Sequence, residues 1–134
     1  IGDYDHPKTR LPGAGGAPEI ASGCGEFVVV APHNPRTFVE QLDFRTTVGF
    51  GDGPGSREAL GFRGRGPSAV ITDLGVLEPD PATKELTLTR LHPGATVEAA
   101  REATGWDLAV ADAPTTTEEP TPDELAALRE LIAR

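Results

Sequence analysis

A glycine cluster near the start of the chain has the residue types needed to bind negative charge. Gly13, Gly15 and Gly16 fall within four positions, and Pro18 and Glu19 follow. Glycine adopts positive φ readily and lets another group approach the backbone closely. Pro18 suits the first turn of a helix, and Glu19 complements the helix dipole there. The segment predicts a tight loop feeding a short helix at 18–24, with N–H groups open to an anion or a developing oxyanion.

Two other interpretations of this segment compete with a ligand loop. A dinucleotide fingerprint starting at Gly13 would need a small residue at position 18, where Pro18 stands. A plain turn remains open as an alternative. Glu19 could be a nucleophile beside the N–H donors, but we favour a carboxylate that only stabilises the helix N-terminus.

Three arginines lie in the glycine-rich segment 49–67, at positions Arg57, Arg63 and Arg65. A loop of that length in a small domain is usually functional or mobile. It predicts either a phosphate- or carboxylate-binding loop or a surface connection with solvated arginines. We favour the surface connection, because the arginine spacing fixes no geometry.

The remaining candidate ligands have structural interpretations. His6, His33 and His92 do not have zinc-site spacing, and we expect turn residues and no metal site. The single cysteine, Cys24, excludes an internal disulfide framework, and we expect it to be a buried small residue. No partner can be named for Asp73, which lies in a predicted strand.

Composition limits the kind of protein. The chain has 134 residues, a net charge of −9, 16 glycines and 13 prolines. Its length predicts a single domain at 1–134. Its acidity argues against nucleic acid and anionic membranes as partners. It has no apolar run as long as a membrane span and no signal-peptide pattern at its start, so we expect a cytoplasmic protein.

Apolar patterning predicts the elements. Strands are expected at 26–31, covered on both faces, at 69–76 and at 85–91, the last two forming a β-hairpin with its turn at 79–84. Asn34 is expected to start a helix or turn, with Phe38, Val39 and Leu42 on one helical face. Thr96 is expected to cap a helix ending before Gly105, with a short strand at 108–110. A connector at 112–120 and a capped helix at 121–134 follow, the helix presenting an apolar stripe. The predicted fold class is α/β, an open sheet with flanking helices plus a β-hairpin.

Five segments together resemble one family. They are the glycine loop from Leu11 to Ser22, HNPRTFV at 33–39, GPGSR at 53–57, AVITDLGV at 69–76 and LHPGATV at 91–97. In this order they resemble the C-terminal part of the β subunit of family I coenzyme A transferases, in the glutaconate and 3-oxoadipate branch. The resemblance implies related open α/β folds in two subunits, with the active site at their interface.

The resemblance also implies a reaction. A glutamate of the β subunit attacks an acyl-CoA thioester, a mixed anhydride forms, and the CoA thiolate then gives a glutamyl-CoA thioester. By this match Gly15 and Gly16 supply oxyanion-stabilising amides, Gly13 permits the turn and Ala17 lines the wall of the CoA site. The family's glutamate precedes the loop in a Glu-x-Gly motif, and Glu102 to Gly105 has the wrong spacing. We therefore expect the nucleophile outside these residues.

The resemblance further implies partners and alternatives. Coenzyme A and acyl-CoA are expected as substrates, without a permanently bound cofactor. The expected partners are the α subunit and the missing N-terminal part of the β subunit, and we expect the chain to be stable only with them. The alternatives are a hydrolase of CoA esters or of a ring ketone on the same fold, and a binding relic without catalysis.

Overall fold

The computed structural model describes residues 3, 5–10 and 13–133, and in them one mixed sheet has five strands in the order β1-β2-β3-β4-β5. Residues 1, 2, 4, 11, 12 and 134 lie outside the described residues. The first two residues of the predicted glycine-loop segment and the last residue of the predicted helix at 121–134 are among them. The elements in chain order are α1 Ala17–Gly23, β1 Phe27–Val30, α2 Ser56–Ala59, β2 Pro67–Ile71, β3 Gly75–Pro79, β4 Leu86–Leu91, α3 Val97–Glu102, β5 Ala109–Thr116 and α4 Pro122–Ile132.

Strand direction changes in the middle of the sheet. β1 pairs with β2, and β4 with β5, in parallel, whereas β3 is antiparallel to both of its neighbours. Each parallel pair needs a crossover connection. The segment containing α2 supplies the first, and α3 supplies the second. The predicted α/β class with a hairpin is confirmed, and β1, β2, β4 and β5 all point their carboxyl ends to the same edge.

The core lies on one face of the central strands. Leu77 and Leu88 are fully buried and pack with Val70 from β2 and Ala100 from α3. Phe38 and Leu108 complete this cluster from the connecting segments. Their burial holds the crossover α3 against the sheet, since apolar area removed from water is the dominant favourable term in folding.

The prediction of one continuous strand at 69–76 is wrong. A turn interrupts it, in which the Thr72 Oγ1 accepts hydrogen bonds from the amides of Leu74 (3.1 Å) and Gly75 (3.0 Å). β3 then returns against β2, so the sequence run forms two antiparallel strands. A β-carbon at Gly75 would lie 2.2 Å from the Arg90 carbonyl oxygen, so the strand can restart there only with glycine.

Other boundaries also differ from expectation. β5 continues to Thr116, inside the predicted connector 112–120, because an edge strand tolerates Pro114 and threonine favours strands. Asn34 starts a turn, the second of the two predicted alternatives, and the predicted helical face of Phe38, Val39 and Leu42 is wrong, with Phe38 buried and Leu42 exposed. Gly105 is required by close approach to the Phe38 and Glu40 backbone, not by positive φ.

The outer strand β1 is not covered on both faces within the described residues. Val28 is 50% exposed, Val30 is 78% exposed, and the neighbouring Ile71 is 37% exposed. As the end strand of the sheet, β1 has only β2 beside it. Apolar side chains at this edge of the sheet are therefore open to water.

The last helix has the predicted start. Thr121 and Glu124 form a capping box, in which each side chain accepts from the other residue's backbone amide. Its apolar residues Leu128, Leu131 and Ile132 are exposed, and no described residue of α4 is buried. In the part of the chain that the structure describes, no helix has the length and apolar character to cross a membrane.

We predict that Gly75→Ala lowers the free energy of unfolding by about 2–3 kcal/mol, because the added methyl overlaps a backbone oxygen that cannot swing away. The measurement is denaturant unfolding of the complete assembly. Gly25→Ala is the matched control, since a β-carbon there meets nothing within 4 Å, and it should change stability by less than about 0.5 kcal/mol. Equal effects of both substitutions would contradict the packing argument.

Candidate functional site

The glycine loop is a turn that leads directly into α1. Gly15 has a φ of +63°, and Gly16 is the N-cap, without a side-chain capping bond. The first helical hydrogen bond runs from the Ile20 amide to the Gly16 carbonyl at 3.0 Å. The amides of Ala17 and its neighbours therefore belong to the first turn, where a helix offers no internal acceptor. The predicted short helix is found one residue earlier than expected.

The space in front of this loop is open. A β-carbon at Gly13 or Gly15 would meet no atom within 4 Å, and one at Gly16 would only touch the Ile20 side chain at 3.9 Å. All four residues from Gly13 to Gly16 are exposed, as is Ala17. Fold packing therefore does not require glycine at positions 13 and 16, and only Gly15 has a backbone reason for it.

Arg57 departs from both sequence-based interpretations of the glycine-rich segment. It is 3% exposed, and its guanidinium donates to three backbone carbonyls, those of Ala21, Gly49 and Gly64. It is therefore neither solvated nor available to an anion. Its place in the GPGSR segment at 53–57 was the one signal that separated it from Arg63 and Arg65, and that signal did not predict burial, because its acceptors are carbonyls that every residue carries.

The other two arginines of this segment are on the surface. Arg65 forms an ion pair with Glu26, and Arg63 is exposed. Nearby, a cavity of about 440 Å³ is lined by residues of the 42–60 region, among them Phe50 and Arg45. The Arg45 guanidinium forms an exposed ion pair with Asp52 at 3.0 Å. The predicted surface connection therefore describes Arg63 and Arg65, and it is wrong for Arg57.

Two histidines join the carboxyl ends of the parallel strands. The buried His33 ring contacts the hydroxyls of Thr72 (3.2 Å) and Thr104 (2.9 Å) and stacks on Phe38. The Thr104 hydroxyl already donates to the Ala100 carbonyl, so His33 Nε2 donates to Thr104 Oγ1. The Thr72 hydroxyl proton has two acceptors within reach, the Gly75 carbonyl (3.0 Å) and His33 Nδ1 (3.2 Å). The ring is a structural element held between two hydroxyls.

His92 has a similar place at the end of β4. Its Nε2 donates to the Thr72 carbonyl at 2.9 Å, and its Nδ1 faces the Thr117 hydroxyl at 2.7 Å. His6 is exposed near the start of the chain. Within residues 3, 5–10 and 13–133, no three side chains of His, Cys, Asp or Glu converge on a possible metal position. The threonines of this network carried no motif that could have revealed them.

Three further candidates can be placed. Asp73 is exposed, and its carboxylate accepts a hydrogen bond from the His33 amide at 2.6 Å. This bond, with one from its own amide, lowers the pKa of Asp73 below its usual value. Glu19 lies exposed in the first turn of α1, and Cys24 is half-buried rather than buried, with a free thiol.

Burial lowers the pKa of His33 below its ordinary value of 6.5, although the Asp73 carboxylate opposes this. The unfolded chain therefore binds more protons at this residue than the folded chain does at acidic pH. We predict that the contribution of His33 to the free energy of unfolding is fully present above pH 6.5. This contribution is lost as the pH falls from 6.5 through the folded-state pKa of His33. Thermal unfolding across that interval measures the loss.

The comparison uses His33→Gln, which can hydrogen-bond both threonines but does not titrate. Its stability should fall less over the same pH interval than that of the unsubstituted chain. His6→Gln is the control for a histidine substitution elsewhere, because His6 is exposed and makes none of the hydrogen bonds recorded for Thr72 and Thr104. Parallel curves for all three proteins would contradict the role assigned to His33.

Comparisons with known proteins agree with this geometry. The sequence model of the family described as Coenzyme A transferase matches residues 1–103. A 3-oxoadipate CoA-transferase subunit from Pseudomonas knackmussii is 50% identical over all of this chain, which covers 52% of that protein. A glutaconate CoA-transferase subunit from Acidaminococcus fermentans is 42% identical over 98% of this chain and 49% of its own length.

Solved structures give the same result. The crystal structure of the Acidaminococcus fermentans glutaconate coenzyme A-transferase superposes with a TM-score of 0.86, at 42% identity, over 97% of this chain and 50% of the other. Rhodococcus jostii IpdAB superposes with a TM-score of 0.78 at 28% identity, over 97% of this chain and 52% of its own. The chain spans about half the length of each of these relatives.

Proposed function

The chain belongs to the coenzyme A transferase family, and from that premise we propose that it is part of the β subunit of a CoA-transferase acting on carboxylic acids. The observation that supports this most strongly is its 50% identity, over the whole of this chain, to a 3-oxoadipate CoA-transferase subunit. We propose that the chain forms the C-terminal portion of this β subunit. We also propose coenzyme A and acyl-CoA as the substrates, without a permanently bound cofactor, and a cytoplasmic location.

In the proposed reaction, a glutamate from outside these 134 residues attacks the thioester carbonyl of an acyl-CoA. The thiolate of CoA leaves, and an acyl-glutamyl anhydride forms. The thiolate then attacks the glutamyl carbonyl, which releases the acyl group as a carboxylate and leaves a glutamyl-CoA thioester. An acceptor carboxylate reverses these steps.

Both carbonyl attacks create an oxyanion that needs hydrogen-bond donors. We propose that the amides of Gly15 and Gly16 supply them, with Ala17 lining the wall; Gly15, with a φ of +63°, permits the turn, the part that the sequence assigned to Gly13. The support is geometric: the loop is exposed, and no fold contact requires glycine at position 16. Donors fixed before the reaction are worth most where charge develops. Glycine at positions 13 and 16 is then explained by substrate approach.

We further propose that the apolar edge on β1 is covered by the N-terminal part of the β subunit, and that the α subunit joins to form a hetero-oligomer. Val28 and Val30 lie exposed on an end strand whose outer edge is unpaired within the described residues. Such an edge is a template for another strand. The twofold greater length of the relatives provides enough chain to supply one.

A second candidate function has its own support. The cholesterol ring-cleaving hydrolase IpdB subunit of Rhodococcus jostii is 30% identical over 98% of this chain. On this alternative, water replaces the acceptor carboxylate. Assays separate the possibilities, because a transferase moves CoA to a free acid, a CoA-ester hydrolase releases free CoA, and a ring-cleaving hydrolase opens a ring ketone without CoA transfer. Finding no glutamate-bearing segment on any associated chain would favour a binding relic.

Gly16→Val tests the oxyanion role. With φ at −84° and an open flank, position 16 accepts a side chain, but the isopropyl group would hold the thioester away from the amides. Removing such a donor typically costs about 10²–10³-fold in kcat. Steady-state turnover of the complete assembly measures the loss, with circular dichroism to confirm the fold. Gly25→Val, also exposed, should retain turnover; full activity of Gly16→Val would rule out the role.

Val30→Asp tests the covered edge. If the N-terminal part of the β subunit also packs over the face of β1 that carries Val28 and Val30, the carboxylate is buried without a partner and should cost the complete assembly about 3 kcal/mol. The measurements are thermal unfolding and native mass spectrometry of the chains that travel together. Leu60→Asp is the control, since Leu60 is 58% exposed and lies away from the sheet edge on the segment after α2. Wild-type stability and composition of the Val30 variant would overturn the proposal.

A further inference from the structure

Arg57 connects the helix behind the glycine loop to the glycine-rich segment 49–66. Its Nη2 donates to the Ala21 carbonyl of α1 at 3.1 Å. Its Nε donates to the Gly64 carbonyl and its Nη1 to the Gly49 carbonyl, both at 3.0 Å. The two ends of the glycine-rich segment and one distant element, α1, therefore meet at one planar group, which is what a guanidinium with a rigid fork of donors is suited to hold.

The charge on Arg57 is held without a carboxylate among its recorded partners. They are the three carbonyls and the ring of Phe62, whose centroid is 5.3 Å from the guanidinium carbon. Ala21 lies in the last turn of α1, where the carbonyls carry the negative end of the helix dipole. The cation is thus stabilised at the carboxyl end of the same helix whose amino end carries the glycine loop.

Neighbouring contacts confine the carboxyl end of α1 further. A β-carbon at Gly64 would lie 2.0 Å from the Cys24 carbonyl oxygen, so the two segments touch backbone to backbone. The Arg65 amide donates to the Gly25 carbonyl at 2.6 Å. Ala21 is 3% exposed, whereas Ile20, one residue earlier, is 64% exposed. The helix is therefore held from its carboxyl half, and its amino half projects into the open.

We propose that Arg57 is a positioning residue that fixes the direction of α1 and thereby the place of the Gly13–Gly16 amides. This inference rests on the proposed function of the glycine loop. α1 is only seven residues long, so a small change at Ala21 is transmitted to Gly16 by a single rigid element. Misplacing a reacting group by about 1 Å can cost 10²-fold in rate.

The test uses the complete β subunit assembled with its α subunit, in the variants Arg57→Gln and Arg57→Lys. Arg57→Gln loses the charge and the fork, and its kcat should fall by about 10²-fold. The KM for acyl-CoA should change little, because the loop amides bind the oxyanion more strongly than the ground-state carbonyl. Arg57→Lys keeps the charge but not the fork, and should recover only part of the loss. Arg63→Gln, an exposed arginine of the same segment, should match the parent enzyme.

Amide hydrogen exchange separates positioning from general stabilisation. The amides of Ile20 and Cys24 close hydrogen bonds within α1 and its cap. In Arg57→Gln they should exchange roughly tenfold faster, while amides of β3 and β4 keep their protection. Unchanged exchange in α1, or equal acceleration in β3 and β4, would overturn the positioning role.

Failure of the proposed function gives a different pattern. If Gly16→Val keeps full turnover, the loop is not the oxyanion site, and the kcat of the Arg57 variants no longer bears on it. The exchange data then decide alone: local acceleration at Ile20 and Cys24 supports the anchoring of α1 by Arg57, and its absence overturns it.

Discussion

The side chain of Thr72 holds together the edge of the sheet where the parallel strands end. Its hydroxyl oxygen accepts from two amides of the β2–β3 turn, and it contacts His33 from the end of β1. The Thr72 carbonyl accepts from His92, at the end of β4. Strand reversal and alignment of three strand ends therefore depend on one small polar residue. A buried network of this kind stabilises only when every member has a partner.

The network acts in the same direction as burial, which lowers the pKa of His33. Thr72 Oγ1 already accepts two backbone hydrogen bonds, and Thr104 Oγ1 receives the proton of His33 Nε2. A proton on Nδ1 would face an oxygen with no accepting capacity left. Burial and hydrogen-bond saturation therefore act in the same direction, and the ring gives this edge rigidity instead of acid–base chemistry.

Local sequence patterns predicted much of the architecture. Thr96 and the Thr121–Glu124 box predicted two helix starts, because an N-cap side chain acts on amides two or three residues away. The β3–β4 hairpin followed from alternation at 85–91. The Thr72 turn was missed, because the apolar residues on both sides of it together predict one strand, and its cause is a hydroxyl bonding to backbone amides.

Long-range contacts were the part that local patterns could not reveal. Arg57 and Arg63 lie in the same glycine-rich segment, yet only Arg57 is buried, because carbonyls from positions 21, 49 and 64 converge on it. The candidate glycine loop was found from composition and family resemblance, and its open flank became visible only in three dimensions.

Two groups of residues in this protein differ in how their side chains and backbone are packed, and the difference bears on where chemistry can occur. Around Leu77 and Thr72, apolar side chains are buried and the polar ones are hydrogen-bonded. Around Gly13–Gly16 and β1, backbone and apolar side chains are exposed together, at Ile20 as well as Val28 and Val30. Exposed valines on an end strand cost free energy unless something covers them. A cover near the glycine loop would also exclude water from it and strengthen its amides as donors. On the proposed function, a segment that covered both β1 and the glycine loop would complete the fold and the site together.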